Sequence, residues 1–259
     1  MTRALRFELI KLWRRRTVLL ALAVTAVFSI GATALLVAAA EPGPARGPGL
    51  SVDELAAAGG GTQAFATALA FAGFFVLVLF TGATAAEFSR GNVRTMVLRQ
   101  PDRLRLLAGK FAALLASAAV LLAIAEVLGW TTARVLAGGQ GIDASAWTSG
   151  AALTAAFGDY GTVLIWVTGY ALLGTALAVV VRSVPIALAV GIAWAGPFEH
   201  ILADAWNGAN AVFPGLLLET FVAGGRDDVS AGQALATSAV YGVLAAAVAG
   251  TVFTRRDVA

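Results

Sequence analysis

Cysteine is absent from the chain, histidine occurs once and methionine twice. No disulfide and no thiolate metal site can be built, and a paired-histidine metal motif is excluded. Charge is also scarce: 13% of residues are Asp, Glu, Lys or Arg, against about 25% in an ordinary globular domain. A phosphate-cradling loop is missing. Gly109-Lys110 lacks the glycine five residues earlier that such a loop needs, since position 104 is Leu104. There is no nucleophile elbow either. The chain is therefore not read as an enzyme, and no catalytic or metal-binding residue is assigned. Active transport through it would have to draw its energy from a partner or from an ion gradient.

What the chain has is apolar length. Its hydrophobic fraction is 59% and its mean hydropathy +0.84, which marks an integral membrane protein. A helix needs about 20 residues to cross the hydrocarbon core, so 259 residues leave room for six spans with short loops. The pattern predicts an all-α fold and one transmembrane domain over 1–259, with no internal repeat. Spans are expected at about 17–40, 63–86, 111–136, 160–181, 186–204 and 231–253. The first run is too long for the apolar part of a signal peptide, so it is read as an uncleaved helix. Abundant Ala and Gly permit close helix packing in lipid.

Residues 1–16 precede the first span as an interfacial helix. Leu5, Leu9, Leu12 and Trp13 form a stripe, Arg3, Arg6, Lys11 and Arg14 face away, and Phe7 and Ile10 depart from the pattern. Ser51-Val52-Asp53-Glu54 matches a capping box after a loop rich in Pro and Gly.

The layout turns on Glu87–Lys110, a basic interruption between the second and third apolar runs. It carries Arg90, Arg94, Arg99, Arg103, Arg105 and Lys110 against Glu87 and Asp102, too much charge for hydrocarbon. Ser89–Asn92 reads as a turn with Asn92 capping a short helix. Val93, Met96 and Val97 fall on one face of that helix, with Arg94 and Arg99 off it. Pro101 suits the first position of the next helix. A short amphipathic helix between two spans suits docking to another protein, and a solvated loop is the competing reading.

Even-numbered spans put both termini on one side of the membrane. That side then holds the six basic residues from Arg3 to Arg16, the six of the central segment, Arg182, Arg255 and Arg256. The other holds Arg46, Arg134 and Arg226. The bias places both termini in the cytoplasm, and it explains the pI near 9.8 without nucleic acid as a partner.

Three polar residues stand out in apolar surroundings. Glu126 lies in the outer half of the third span, where a carboxylate is costly unless paired or wetted. It could meet a polar or cationic substrate or a proton, or it could simply make an interhelical hydrogen bond or sit as a carboxylate near an outer cavity. Arg134 is too distant along the helix to pair with it. Glu199 and His200 follow Gly196-Pro197, where a break or kink is expected. They could form a gate or simply an outer polar cluster. Between Phe198 and Gly225 apolar and polar clusters alternate, as short helices dipping into the outer leaflet would require.

These residues resemble ABC-2 type transporter permeases. The resemblance rests on the opening with Glu8 and Lys11-Leu12-Trp13-Arg14-Arg15-Arg16, and on the central run Glu87-Phe88-Ser89-Arg90-Gly91-Asn92-Val93-Arg94-Thr95. It continues through Leu98, Pro101, Arg103 and Ala108-Gly109-Lys110 to the ending Phe253-Thr254-Arg255-Arg256-Asp257. It covers the layout of nearly the whole chain, with sequence specificity mainly in the central run. It implies an exporter subunit in the cytoplasmic (inner) membrane. Val93–Gln100 would be the cytoplasmic coupling helix that seats on a separate ATPase subunit through Val93, Arg94, Met96, Val97 and Arg99. Phe198–Ala223 would supply re-entrant helices between the last two spans. As a half-transporter the chain would pair with a second permease copy, identical or different, and with two ATPase subunits holding ATP and Mg. The cargo implied is hydrophobic or amphipathic: a drug, antibiotic, lipid or peptide. An ion-coupled transporter or a membrane sensor or immunity-type protein is the alternative.

Overall fold

The computed structural model describes residues 2–43, 49–70, 73–99, 101–206, 208–226 and 228–256, leaving aside the side chains of residues 2–4, 70, 74 and 99. Twelve α-helices follow in chain order among the described residues. They are α1 Thr2–Leu12, α2 Arg15–Ala38, α3 Val52–Ala56, α4 Gly60–Ala70, α5 Gly73–Ser89 and α6 Asn92–Arg99. After these come α7 Arg103–Ala137, α8 Gly150–Val181, α9 Val184–Ala193, α10 Glu199–Ala205, α11 Pro214–Val222 and α12 Ala231–Arg255. Among the described residues the extended backbone pairings are a hairpin of two-residue strands, Gly225–Arg226 and Val229–Ser230, and an isolated bridge between Glu41 and Ser51.

Five helical runs among the described residues are long and apolar enough to cross a membrane: α2, α7, α8, the α9–α10 run and α12. The expected second span is represented by α4 and α5, with Phe71 and Ala72 outside the described residues. The surface chemistry is that of a chain solvated by lipid. Leu20, Val24, Val27 and Leu35 on α2 are exposed, as are Val240, Val243 and Leu244 on α12, and in water such apolar faces would drive association. The protein is an all-α, multi-pass membrane protein.

Several helices start earlier than hydropathy alone indicates. α7 begins at Arg103, right after Pro101-Asp102, and α8 at Gly150. Polar flanks score poorly for hydropathy but extend a helix readily. Glycine and proline do not break the fifth apolar run. It continues from Val184 to Ala205 through a π-helical turn at Trp194–Phe198 with Pro197 inside it. A wider turn accommodates a ring that has no N–H to offer the helix. The capping box at Ser51 and Glu54 is formed, and a second one joins Ser230 to Gln233 at the start of α12.

By its internal contacts the chain divides into two compact units. The first comprises Met1–Trp13, Ala72–Ser117 and Trp166–Ala259, the second Arg14–Phe71 and Ala118–Ile165. In the first, Val93, Leu106, Ala176, Val179, Ala249 and Phe253 pack into one core. In the second, Val37, Leu55, Ala64, Ala133, Ile142 and Trp147 belong to another. There the Ser29 hydroxyl donates to the Ala125 carbonyl at 2.6 Å, a small-residue contact of the kind that joins helices in lipid.

Candidate functional site

The central basic segment folds as expected into a short amphipathic helix, α6, preceded by a turn at Arg90-Gly91. Asn92 is the first residue of the helix rather than a residue outside it. The orientation of α6 decides which of these side chains are accessible. Val93 is 4% exposed and sits in the core of its own unit, with Met96 and Val97 half-buried against the same cluster. Phe88 and Phe253 meet edge to face beside them, with ring centroids 5.9 Å apart. The outward face is Arg94, Thr95 and Leu98, the last 78% exposed. A side chain enclosed by its own chain cannot be a partner's first contact, so the surface open to a docking protein is that of Arg94 and Leu98. The Arg99 side chain lies outside the described residues.

Beneath α6 is a buried charge cluster that the sequence does not announce. Glu8 and Lys11 of α1, Glu87 of α5 and Lys110 of α7 come together as two anions and two cations. Lys11 pairs with Glu87 directly. Lys110 Nζ lies 3.4 Å from Glu87 Oε1 and 3.6 Å from Glu8 Oε2, and Lys11 Nζ is 3.8 Å from Glu8. Glu8 is 1% exposed and Lys110 7%. Charges so enclosed are tolerated only when mutually compensated, and each of the four has an opposite neighbour. The cluster fastens α1 to the two helices that flank α6.

It also explains α1. Turning Glu8 inward leaves Phe7, Ile10 and Trp13 exposed together, at 51%, 65% and 56%. Phe7 and Ile10, which spoil the predicted stripe, therefore belong to the outward apolar face, while Leu5, Leu9 and Leu12 are half-buried. An outward apolar face on a helix bearing several basic residues suits the membrane surface.

Some of the basic residues read from sequence as orientation signals have a second task. Arg103 Nη1 donates to the carbonyls of Thr254 at 3.1 Å and Arg256 at 3.0 Å, at the end of α12. Arg256 Nη1 donates to the Val180 carbonyl at 3.0 Å, at the end of α8. Both satisfy carbonyls that a helix terminus leaves without partners, at the end where the dipole favours a cation.

Glu199 and His200 lie on α10 and differ sharply. Glu199 is 1% exposed. Its Oε1 accepts from the Trp194 indole N–H at 2.7 Å and its Oε2 from the Leu216 N–H at 3.1 Å. It thus closes the N-terminus of α11, where an anion is favoured. Gly215 makes the approach possible: a Cβ there would stand 2.2 Å from Glu199 Oε2. Both oxygens being held by donors, the geometry gives Glu199 an architectural task. His200 is exposed; its Nδ1 donates to the Gly196 carbonyl at 2.7 Å, and Nε2 is 3.4 Å from Glu219 Oε2. Burial pushes the Glu219 carboxyl above the usual carboxylate range, against the pull of His200 and Arg226.

Glu126 belongs to the second unit, on the wall of a cavity of about 670 Å³. Thr62, Trp130, Trp147, Phe157 and Tyr160 share that wall. Among the described residues, no three His, Asp or Glu side chains converge as a metal site requires.

Five helical runs long and apolar enough to cross a bilayer define a class: a multi-pass membrane protein. Its family is described as "Protein of unknown function (DUF2705)", and the chain belongs to it, the family model matching residues 47–259. No curated protein matches the chain.

Proposed function

We propose that this chain is the membrane-spanning permease subunit of an ATP-driven ABC-2 type exporter in the cytoplasmic membrane. It moves a hydrophobic or amphipathic substrate. Both termini lie in the cytoplasm, and α4 with α5 completes six spans. α6 is the coupling helix, and the α10–α11 segment forms the re-entrant element on the outer side. The working assembly contains two permease copies and two ATPase subunits, which hold ATP and Mg.

The observation that carries this reading is the construction around α6. A helix with a cationic, apolar outer face is anchored by Val93 to the bundle and stands over the compensated cluster of Glu8, Lys11, Glu87 and Lys110. A force applied to Arg94 and Leu98 is passed to α5, α7 and α1 as one block, as rigid-body gating requires. ATP-driven closure of the ATPases would move that block, and the permease would alternate between inward-open and outward-open forms.

The test is co-purification with a P-loop ATPase encoded beside this chain. Arg94→Glu with Leu98→Asp should abolish association while leaving the permease folded. Persistent association of that variant, or placement of residues 92–99 outside the cell by accessibility labelling, refutes the reading. Met96→Asp with Val97→Asp discriminates less well, because both side chains also pack inward.

A further inference from the structure

We infer that the cavity bounded by Glu126, Trp130 and Trp147 is a binding site for a lipophilic monocation: an apolar body carrying one delocalised or amine positive charge. The inference names a cargo class for the transporter proposed above. The binding itself is a property of this chain alone and can be tested without an ATPase.

At about 670 Å³ the cavity falls in the range of small-molecule sites. Its walls are mainly apolar and aromatic, with Leu153, Phe157 and Tyr160 on α8 facing Val127 and Trp130 on α7. Such a wall accepts an apolar body of any charge. Its polar groups select the sign. Glu126 lines the cavity, and its Oε1 has no hydrogen-bond partner among the described residues although it is shielded from solvent. Thr62 also lines the cavity and donates its hydroxyl to Asp159 at 2.6 Å. No Lys or Arg is among the lining residues. A carboxylate left unsatisfied in an apolar setting is costly, and an entering cation compensates it.

The aromatic wall reinforces this selection. The Trp147 ring is buried and held by its indole N–H, which donates to the Leu55 carbonyl at 2.8 Å. Gly61 lets both indoles close on one point: a Cβ there would lie 2.8 Å from Trp130 Cδ1 and 3.0 Å from Trp147 Cε3. Indole faces are the strongest of the aromatic partners for a cation. Aromatic side chains and one carboxylate around a mainly apolar space form a receptor for a diffuse positive charge. A small hydrated ion would find too few oxygens.

The experiment uses the purified full chain in detergent and in nanodiscs, with tetraphenylphosphonium and tetraphenylborate as probes. The two ions match in size and shape and differ in charge sign. Quenching of tryptophan fluorescence and equilibrium dialysis report binding. The cation is expected to bind saturably, at least about tenfold more tightly than the anion. Glu126→Gln should weaken the cation by about tenfold and leave the anion unchanged, whereas Glu126→Asp, which keeps the charge, should stay within about threefold of the parent. Gly61→Val should displace the indoles and abolish binding of the cation. Equal affinity for the two ions overturns the inference. So does an equal loss in Glu126→Gln and Glu126→Asp when both remain monodisperse, since charge would then not be what is recognised. Displacement of the probe by phosphatidylcholine in nanodiscs assigns the site to a lipid headgroup, and the free-cation reading fails. Loss of ATPase association in the Arg94 and Leu98 variant leaves all these outcomes unaffected, so the two proposals fail separately.

Discussion

Two carboxylates of the same residue type meet opposite treatment in this molecule. Glu87, in the first unit, is closed in by Lys11 and Lys110 and has Glu8 beside it as a second anion of a balanced set. Glu126, in the second unit, keeps an oxygen without a partner on the wall of a cavity. The first is how a chain uses buried charge to fasten helices; removing any member exposes the others to an apolar surrounding. The second lacks such compensation, and that makes it available to something from outside. A buried acid is therefore read by what answers it, not by its depth alone.

The comparison is broken most severely by Lys110→Met. Glu8 and Glu87 are left with Lys11 alone, and a loss of about 3–5 kcal/mol is expected, visible as a large drop in melting temperature in detergent. Adding Glu87→Gln should recover part of it, because the remaining charges balance again; no recovery would show that shape rather than charge governs the cluster. Next is Gly215→Ala. The new Cβ collides with Glu199 Oε2, and about 2 kcal/mol should be lost from the packing and the cap together. Glu199→Gln, which keeps one acceptor oxygen, should cost less in the same thermal assay. Arg94→Glu with Leu98→Asp alters exposed positions and should shift stability by no more than about 0.5 kcal/mol while abolishing ATPase pull-down. A similarly small effect on stability, no more than about 0.5 kcal/mol, is expected from Glu126→Gln, since no hydrogen bond to Oε1 is lost. A drop like that of Lys110→Met would place Glu126 in the same structural role as Glu87.

Local features were legible in the sequence where they depend on near neighbours. The capping box at Ser51 forms as the spacing predicts, and the Ser230–Gln233 box carries the same signature in the sequence. The helical period of Val93, Met96 and Val97 identified α6 correctly. It could not say what that face meets, because an apolar stripe looks the same whether it packs on its own chain or on a partner. The Glu8–Lys110 contact lies beyond local reading, since it depends on how three helices come together. Phe7 and Ile10 look like flaws in a stripe until Glu8 is known to point inward. At Gly196-Pro197 the sequence predicts a break or a kink; the run does not break, because a π-helical turn accommodates the ring. Glu126 stood out as an isolated acid, but the cavity beside it is assembled from α4, α7, α8 and the segment around Trp147 and could not be read from any one of them.

The arginines at the helix ends carry a last lesson. Arg103 and Arg256 count toward membrane orientation merely by being positive, yet their guanidinium groups also grip the carbonyls that finish α12 and α8. Exchanging both for lysine would preserve the electrical address that inserts the chain the right way round while slackening the fork-shaped clasp at its base. Insertion and rigidity, fused in the native residues, would thereby become separable traits.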